Sequence, residues 1–271
     1  MKLLEIRDLV VSFKKDGENI VAADKVNLSI EAGSFTAIVG ESGSGKSVTA
    51  LSVCRLIRGG EVSGAILWHG DGKEKDLMKL SGEELHKIRG KDISYIFQDP
   101  GSSLNPVIKV GEQVSEAYAA HFGASSREAF ARTKEYLAAV KIKDIERVCA
   151  SFPHELSGGM NQRVMIAMAL IGAPKLLIAD EPTTSLDVTV ESDILKLLIS
   201  VQKEKALSLL FITHDLALAA AYAETIYVMQ KGCVVEHLKK RNGRFEPKEV
   251  YTKKLFTAGL LGLKPKSFIE V

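Results

Sequence analysis

The sequence is poor in cysteine and shows no excess of charge of either sign. Its three cysteines, Cys54, Cys149 and Cys233, are odd in number and far apart, and they form neither a CxxC pair nor a zinc pattern. They read as free thiols, buried or half-buried, in a reducing compartment. Basic and acidic residues nearly cancel, 36 against 34, leaving a formal net charge of +2. That balance argues against a nucleic-acid partner and against membrane binding by charge alone, since both draw on a basic excess. No stretch reaches the roughly 18 uninterrupted apolar residues of a spanning helix. The opening run Met1-Lys2-Leu3-Leu4-Glu5-Ile6-Arg7-Asp8 meets charge too early for a signal peptide. The expectation is a cytosolic protein, or one held at a membrane by partners. Internal repeats are also lacking.

What is present suits a globular protein. With 271 residues, 46% hydrophobic and 26% charged, the chain can bury a sizeable core in one large or two small domains. Alternation predicts strands over Leu3 to Phe13 and Val26 to Ile30. Short apolar runs predict buried strands at Phe35 to Val39, Ile93 to Phe97, Leu176 to Ala179, Leu209 to Thr213 and Thr225 to Met229. A helix is expected from about Ser47 to Leu56. Between Gln98 and about Leu170 the texture turns helical. Helical spacing covers Val110 to Phe122 and Arg127 to Val140, with a cap offered by Ser125-Ser126 and Glu128. Strands before and after a helical block predict a parallel α/β core with an inserted helical subdomain. Lys239 to Lys248, basic and broken by Gly243 and Pro247, reads as a surface loop with a solvated charged face.

Gly40-Glu41-Ser42-Gly43-Ser44-Gly45-Lys46-Ser47 matches G-x-x-x-x-G-K-[ST] at every fixed position, between the buried strand and the helix that this motif requires. The glycines let the backbone curl closely round phosphates, so that successive N–H groups face their oxygens. Lys46 is placed for the β- and γ-phosphates, the Ser47 hydroxyl for Mg²⁺, and the helix presents its positive end. The chain is therefore expected to bind a nucleoside triphosphate. Leu176-Leu177-Ile178-Ala179-Asp180-Glu181 is an apolar strand ending in two acids. Asp180 is expected to hold Mg²⁺ from the far side. Glu181, facing the other way in an extended chain, is expected to polarise the attacking water as general base.

Leu156-Ser157-Gly158-Gly159-Met160-Asn161-Gln162-Arg163 resembles the signature motif of the ABC (ATP-binding cassette) family, with Met160 where the consensus has glutamine. Ser157 is placed to cap a helix whose first N–H groups, left open by Gly158 and Gly159, face a γ-phosphate. Further landmarks come in the family's order. Gln98 resembles the Q-loop glutamine, which senses Mg²⁺ and contacts the membrane partner. Ser185-Leu186-Asp187 resembles the D-loop, and His214 the switch histidine at the γ-phosphate. Phe13 is placed like the aromatic that stacks on adenine, where most members have Tyr.

The resemblance runs from about Leu3 to Glu236 and implies an α/β fold of the P-loop NTPase (RecA-like) type. Residues 1–98 and 166–238 would form the ATP-binding core with an N-terminal antiparallel β subdomain, residues 99–165 a helical signature subdomain, and residues 239–271 a short C-terminal extension. It implies an ATPase that binds ATP through Phe13, Gly40, Ser42, Gly43, Ser44, Gly45, Lys46, Ser47, Val48, Gln98, Asp180 and His214. Mg²⁺ would be held by Ser47, Gln98 and Asp180, and catalysis carried by Lys46, Glu181 and His214. In a nucleotide-sandwich dimer, Ser157, Gly158, Gly159 and Asp187 would serve the partner's ATP, and closing and reopening would be the power stroke.

Finer resemblance points to the dipeptide/oligopeptide/nickel importer subfamily. It rests on Phe97-Gln98-Asp99-Pro100, Ser102-Ser103-Leu104-Asn105-Pro106, Phe152-Pro153-His154-Glu155-Leu156, Ala179-Asp180-Glu181-Pro182-Thr183-Thr184 and Val188-Thr189-Val190. Val250-Tyr251-Thr252-Lys253-Lys254-Leu255 resembles a degraded form of that subfamily's C-terminal His-Pro-Tyr-Thr segment. Many peptide-importer members carry a further cysteine cluster for iron–sulfur; with Cys233 isolated and the chain ending at Val271, none is expected here. The implied partners are two transmembrane permease subunits, a second homologous ATPase subunit and an extracytoplasmic solute-binding protein, at the cytoplasmic face of the cell membrane. Peptides and nickel or metal chelates both stand as the solute. An exporter's ATPase shares every catalytic motif, and a soluble non-transport ABC ATPase is the other alternative.

Overall fold

The computed structural model describes residues 1–184 and 186–262. Ser185 of the expected D-loop, and the 263–271 part of the expected extension, lie outside them.

β1 (Lys2–Lys15) and β2 (Glu18–Glu31) form a long hairpin closed by Asp16-Gly17, the dipeptide that suits a tight two-residue turn. β3 (Phe35–Val39), α1 (Lys46–Val53), β4 (Gly60–Trp68), β5 (Lys75–Asp76), α2 (Gly82–Ile88) and β6 (Ile93–Ile96) follow. A helical block comes next: α3 (Pro100–Ser103), α4 (Val110–Phe122), α5 (Ser126–Ala139), α6 (Ile145–Ala150) and α7 (Gly158–Leu170). The chain then returns to strands with β7 (Leu176–Asp180), α8 (Val188–Glu204), β8 (Ser208–Thr213), α9 (Leu216–Tyr222), β9 (Thr225–Gln230) and β10 (Cys233–Lys239), before α10 (Val250–Gly262).

The strands sort into two sheets, one antiparallel in the order β2-β1-β4-β5, the other in the order β10-β9-β3-β8-β7-β6. In the second, every pairing is parallel except that of the edge strand β10 with β9. β3, β7 and β8 are buried at every position, which is what a parallel sheet covered on both faces demands of its sequence. The two-residue period of a strand then divides each between two cores. Phe35, Ala37, Leu177, Ala179, Leu209 and Phe211 enter the larger core, shared with the helical block. Ile38, Leu176, Ile178, Leu210 and Ile212 enter a second core, shared with Leu4, Ile6, Leu9, Ile30 and Trp68 of the antiparallel sheet. The central sheet is therefore pinned from both sides, and its strand ends are held rigidly.

Helix α5 starts where its cap signal lies, with the Ser125 hydroxyl accepting from the Glu128 N–H at 3.3 Å. Helix α7 runs unbroken through residue 165, so the helical block and the core share it. One expectation needs correcting. The 239–248 stretch is not wholly a solvated face, because Lys240 Nζ donates to the carbonyls of Ala220 and Ala221 at 3.0 and 3.1 Å. A lysine there satisfies orphan carbonyls at the C-terminus of α9.

Candidate functional site

Parallel strands bring their carboxyl ends to one edge of the sheet, where ligands of open α/β sheets bind. β3 runs there into the 40–45 loop, β6 is followed by Gln98, β7 ends on Asp180 and β8 leads to His214. At two of its glycines the loop passes so close to neighbouring backbone that no side chain fits. A Cβ on Gly40 would lie 2.2 Å from the Met229 carbonyl oxygen, and one on Gly45 2.4 Å from that of Ala22. Gly45 also has φ 97° as it opens α1, a backbone shape that L side chains resist.

A cavity of about 610 Å³ opens at this edge, lined by Ala22, Glu41, Ser42, Gly43, Gly45, Lys46, Ser47, Val48, Gln98, Glu181 and His214. Lys46 is buried at 4% exposure, and its Nζ donates to the carbonyls of Gly40 and Glu41 at 2.8 and 2.9 Å. Behind the wall, Asp180 is 5% exposed. Its Oδ1 accepts from the Ser47 hydroxyl at 2.9 Å and its Oδ2 from the Tyr95 hydroxyl at 2.8 Å. Burial pushes the Lys46 ammonium down, against the pull of Glu181 and Asp180. Burial pushes the Asp180 carboxyl up, while the Tyr95 and Ser47 hydroxyls and Lys46 draw it down. Both charges are thus held in a desolvated place, each by polar groups of the chain itself.

Glu181 departs from the sequence expectation. It does not continue an extended strand: its φ is +43°, and its N–H donates to the Ile212 carbonyl of β8 at 3.0 Å. The strand stops at Asp180 because this turn redirects the chain. Glu181 Oε2 consequently accepts from the Thr184 hydroxyl at 2.9 Å and Gln98 Nε2 at 3.4 Å, with His214 Nδ1 3.5 Å away. The two acids converge on one site rather than facing apart.

Of the other expected residues, Gly40 and Ser44 lie in the loop behind the lining, and the Ser44 hydroxyl is buried without a partner among the described residues. Phe13 does not line the cavity, which has no Phe, Tyr or Trp in its wall among the described residues. Its ring packs over Gly60, where a Cβ would come within 2.7 Å of it. Ser157, Gly158 and Gly159 also lie outside the lining. Ser157 caps α7, its hydroxyl accepting from the Met160 N–H at 3.3 Å, and this helix start is open to solvent. Asp187 caps α8, accepting from the N–H groups of Thr189 and Val190 at 3.1 and 3.0 Å. Sequence reasoning missed Tyr95, Thr184, Ala22 and Glu41 as site residues. Thr184, three residues after Glu181 in a turn, had a local signal. Tyr95 had none, because only the pairing of β6 with β7 carries it to Asp180.

The donor set suits a hard divalent cation, with a hydroxyl and a carboxylate oxygen 2.9 Å apart at Ser47 and Asp180. Among the described residues no group of three or more His, Cys, Asp or Glu could hold a metal alone.

The family model described as "ABC transporter" matches residues 23–184, a span holding the loop, Gln98, the 157–159 turn and both acids. The chain belongs to the ABC transporter family. This cassette is 47% identical over 254 residues to the oligopeptide transport ATP-binding protein OppD of Bacillus subtilis, covering 93% of its own length and 70% of that protein. It is 45% identical to the peptidoglycan transport ATP-binding protein YejF of Agrobacterium fabrum, covering 98% of its own length but 48% of that relative's. In structure it is similar to the ATP-binding cassette MJ0796, solved as a dimer in a post-hydrolysis state bound to ADP and Pi. The TM-score is 0.77 and the identity 31%, over 89% of this chain and 100% of that one. The fold is that of an ABC ATPase, a mixed α/β P-loop cassette with an antiparallel sheet.

Proposed function

We propose that this cassette binds Mg-ATP in the cavity at the carboxyl edge of the central sheet and hydrolyses it to energise a peptide importer. The convergence of Lys46, Ser47, Gln98, Glu181 and His214 on that cavity, with Asp180 directly behind it, carries the reading. Lys46 exchanges the Gly40 and Glu41 carbonyls for the β- and γ-phosphates, whose charge offsets its desolvation. Ser47 and Asp180, with Gln98 beside them, are the groups that would hold Mg²⁺. Bound there, the ion neutralises phosphate charge. Glu181, its carboxylate oriented by Thr184 and Gln98, takes the proton of the attacking water. His214, 66% exposed at the rim, is free to turn to the γ-phosphate. Phe13, packed on Gly60, is assigned no contact with the adenine.

Ser157, Gly158, Gly159 and Asp187 lie on exposed helix starts outside the cavity, which suits groups offered to the nucleotide of a second cassette. The dimeric state of MJ0796 supports that pairing. The oligopeptide transport assigned to OppD favours peptides over nickel as the solute, and the putative peptide import assigned to a Brucella ovis relative, 44% identical, favours import over export. The partners are then two permease subunits, a homologous second cassette and an extracytoplasmic solute-binding protein, at the cytoplasmic membrane face. No described helix is long and apolar enough to cross a membrane.

The test is affinity purification from gently solubilised native membranes, with mass spectrometry of what co-elutes. Two multi-spanning proteins, a second cassette and a peptide-binding protein are expected. Recovery from the soluble fraction alone, with ribosomes or nucleic acid, would replace the transport reading.

A further inference from the structure

Tyr95 has no part in the chemistry above, yet the fold delivers its hydroxyl to the buried carboxylate of the site. β6 and β7 pair in parallel, with Tyr95 opposite Ile178. Leu176, Ile178 and Asp180 share one face of β7 by the two-residue period of a strand. The first two enter the second core, and Tyr95 packs against that same core. Asp180 therefore lies about 6.6 Å further along this face than the position opposite Tyr95. A tyrosine side chain leaning along the strand spans that distance, and its hydroxyl donates to Asp180 Oδ2 at 2.8 Å. The Ser47 hydroxyl, at the start of α1, donates to Oδ1 at 2.9 Å. One oxygen of the carboxylate is thus tied to a neighbouring strand and the other to the helix that follows the phosphate loop.

Ser47 lines the nucleotide cavity, whereas Tyr95 stands outside its lining. The cation therefore meets Asp180 through Oδ1, the oxygen shared with Ser47, while the phenol holds Oδ2. A carboxylate held in this way offers a metal one oxygen but not both. That restriction separates hard divalent cations. Mg²⁺ demands a near-ideal octahedral shell, into which a two-oxygen carboxylate fits badly, but the larger and more flexible shell of Ca²⁺ accepts carboxylates in either mode. We infer that Tyr95 is a positioning residue for the nucleotide's cation: by holding Oδ2 it keeps Asp180 a one-oxygen ligand and favours Mg²⁺ over Ca²⁺. It acts through Asp180 and touches neither nucleotide nor cation. This inference rests on the ATP-binding reading above.

The test uses the full chain carrying Glu181→Gln, so that affinity is read without turnover. A fluorescent ATP analogue is titrated in EDTA, in saturating Mg²⁺ and in saturating Ca²⁺. Adding Tyr95→Phe should change the affinity in EDTA by less than about twofold and lower it in Mg²⁺ about tenfold or more, the effect of removing a group that orients a metal ligand. In Ca²⁺ the affinity should hold or rise, because the freed Oδ2 can join the shell. Tyr95→Met, which also lacks the donor and fills space flexibly, should shift the ratio of the two affinities in the same direction and serves if the phenylalanine variant does not fold. An unchanged ratio, whether both cations bind as before or both weaken together, would overturn the inference. So would a loss in EDTA equal to the loss in Mg²⁺, the pattern of a merely structural role. A Glu181→Gln parent that binds the analogue under no condition would strike the ATP-binding reading instead, a separate outcome.

Discussion

Tyr95→Phe isolates the group that keeps the buried Asp180 usable. The substitution deletes one hydroxyl and leaves the ring's packing on Phe97, 4.7 Å between centroids, in place. It removes the donor to Asp180 Oδ2 at 2.8 Å, in a site where Asp180 is 5% exposed. A hydrogen bond to a charged group contributes about 1.5–3 kcal/mol, against about 1 kcal/mol for a neutral pair. Burial already pushes the Asp180 carboxyl up, so its ionisation costs stability as pH rises from the unfolded carboxylate range through the folded value. Losing Tyr95 raises the folded value further and widens that window. The cost of the mutation should therefore grow with pH, from about 1 kcal/mol where Asp180 is protonated to about 1.5–3 kcal/mol where it is ionised. Urea unfolding followed by circular dichroism, across a pH series from the unfolded carboxylate range upward, follows that growth. A loss that stays constant along the series, or shrinks as pH rises, would refute the account of how Asp180 is held.

Glu181→Gln keeps the size of the side chain and can still meet Thr184 and His214, so ATP affinity should survive. Steady-state turnover should fall about 10²- to 10⁴-fold as the base is lost, and wild-type turnover would remove Glu181 from that role. Gly45→Ala forces a Cβ to 2.4 Å from the Ala22 carbonyl at a φ of 97°, and should cost about 1–3 kcal/mol in urea unfolding along with nucleotide binding. Cys54, its thiol pushed up to about 12 by burial, and Cys149, also raised by burial, should resist a thiol reagent in the native protein. Half-buried Cys233 should react first, with all three labelled only after denaturation.

The parts legible in the sequence are those whose chemistry is local. The 40–47 loop needs three closely spaced glycines, a lysine and a serine, and the buried strands before β-edge groups such as Asp180 and His214 are short runs of apolar residues. Helix α4 was legible to its last residue because its spacing and flanks agree. Strands β4 and β10 carried no such signal: their exposed positions blur the alternation, and they exist by pairing with β1 and β9. The direction of Glu181 was misread for a related reason. Apolar runs predict a strand but not its last residue, and the turn at Glu181 is fixed by a hydrogen bond to Ile212, thirty-one positions away in the chain and one strand away in space.

The site's two buried charges show why binding here is an exchange. Lys46 is held by the carbonyls of Gly40 and Glu41, and Asp180 by the hydroxyls of Ser47 and Tyr95. Taking up phosphate or a cation redistributes bonds that these groups already make. The affinity for nucleotide is then a difference between two well-bonded states, and it is set as much by the groups left behind as by those engaged. Ser47 is the group Asp180 must share, and Tyr95 the one it need not surrender. A variant that weakens Tyr95 should therefore show itself in stability.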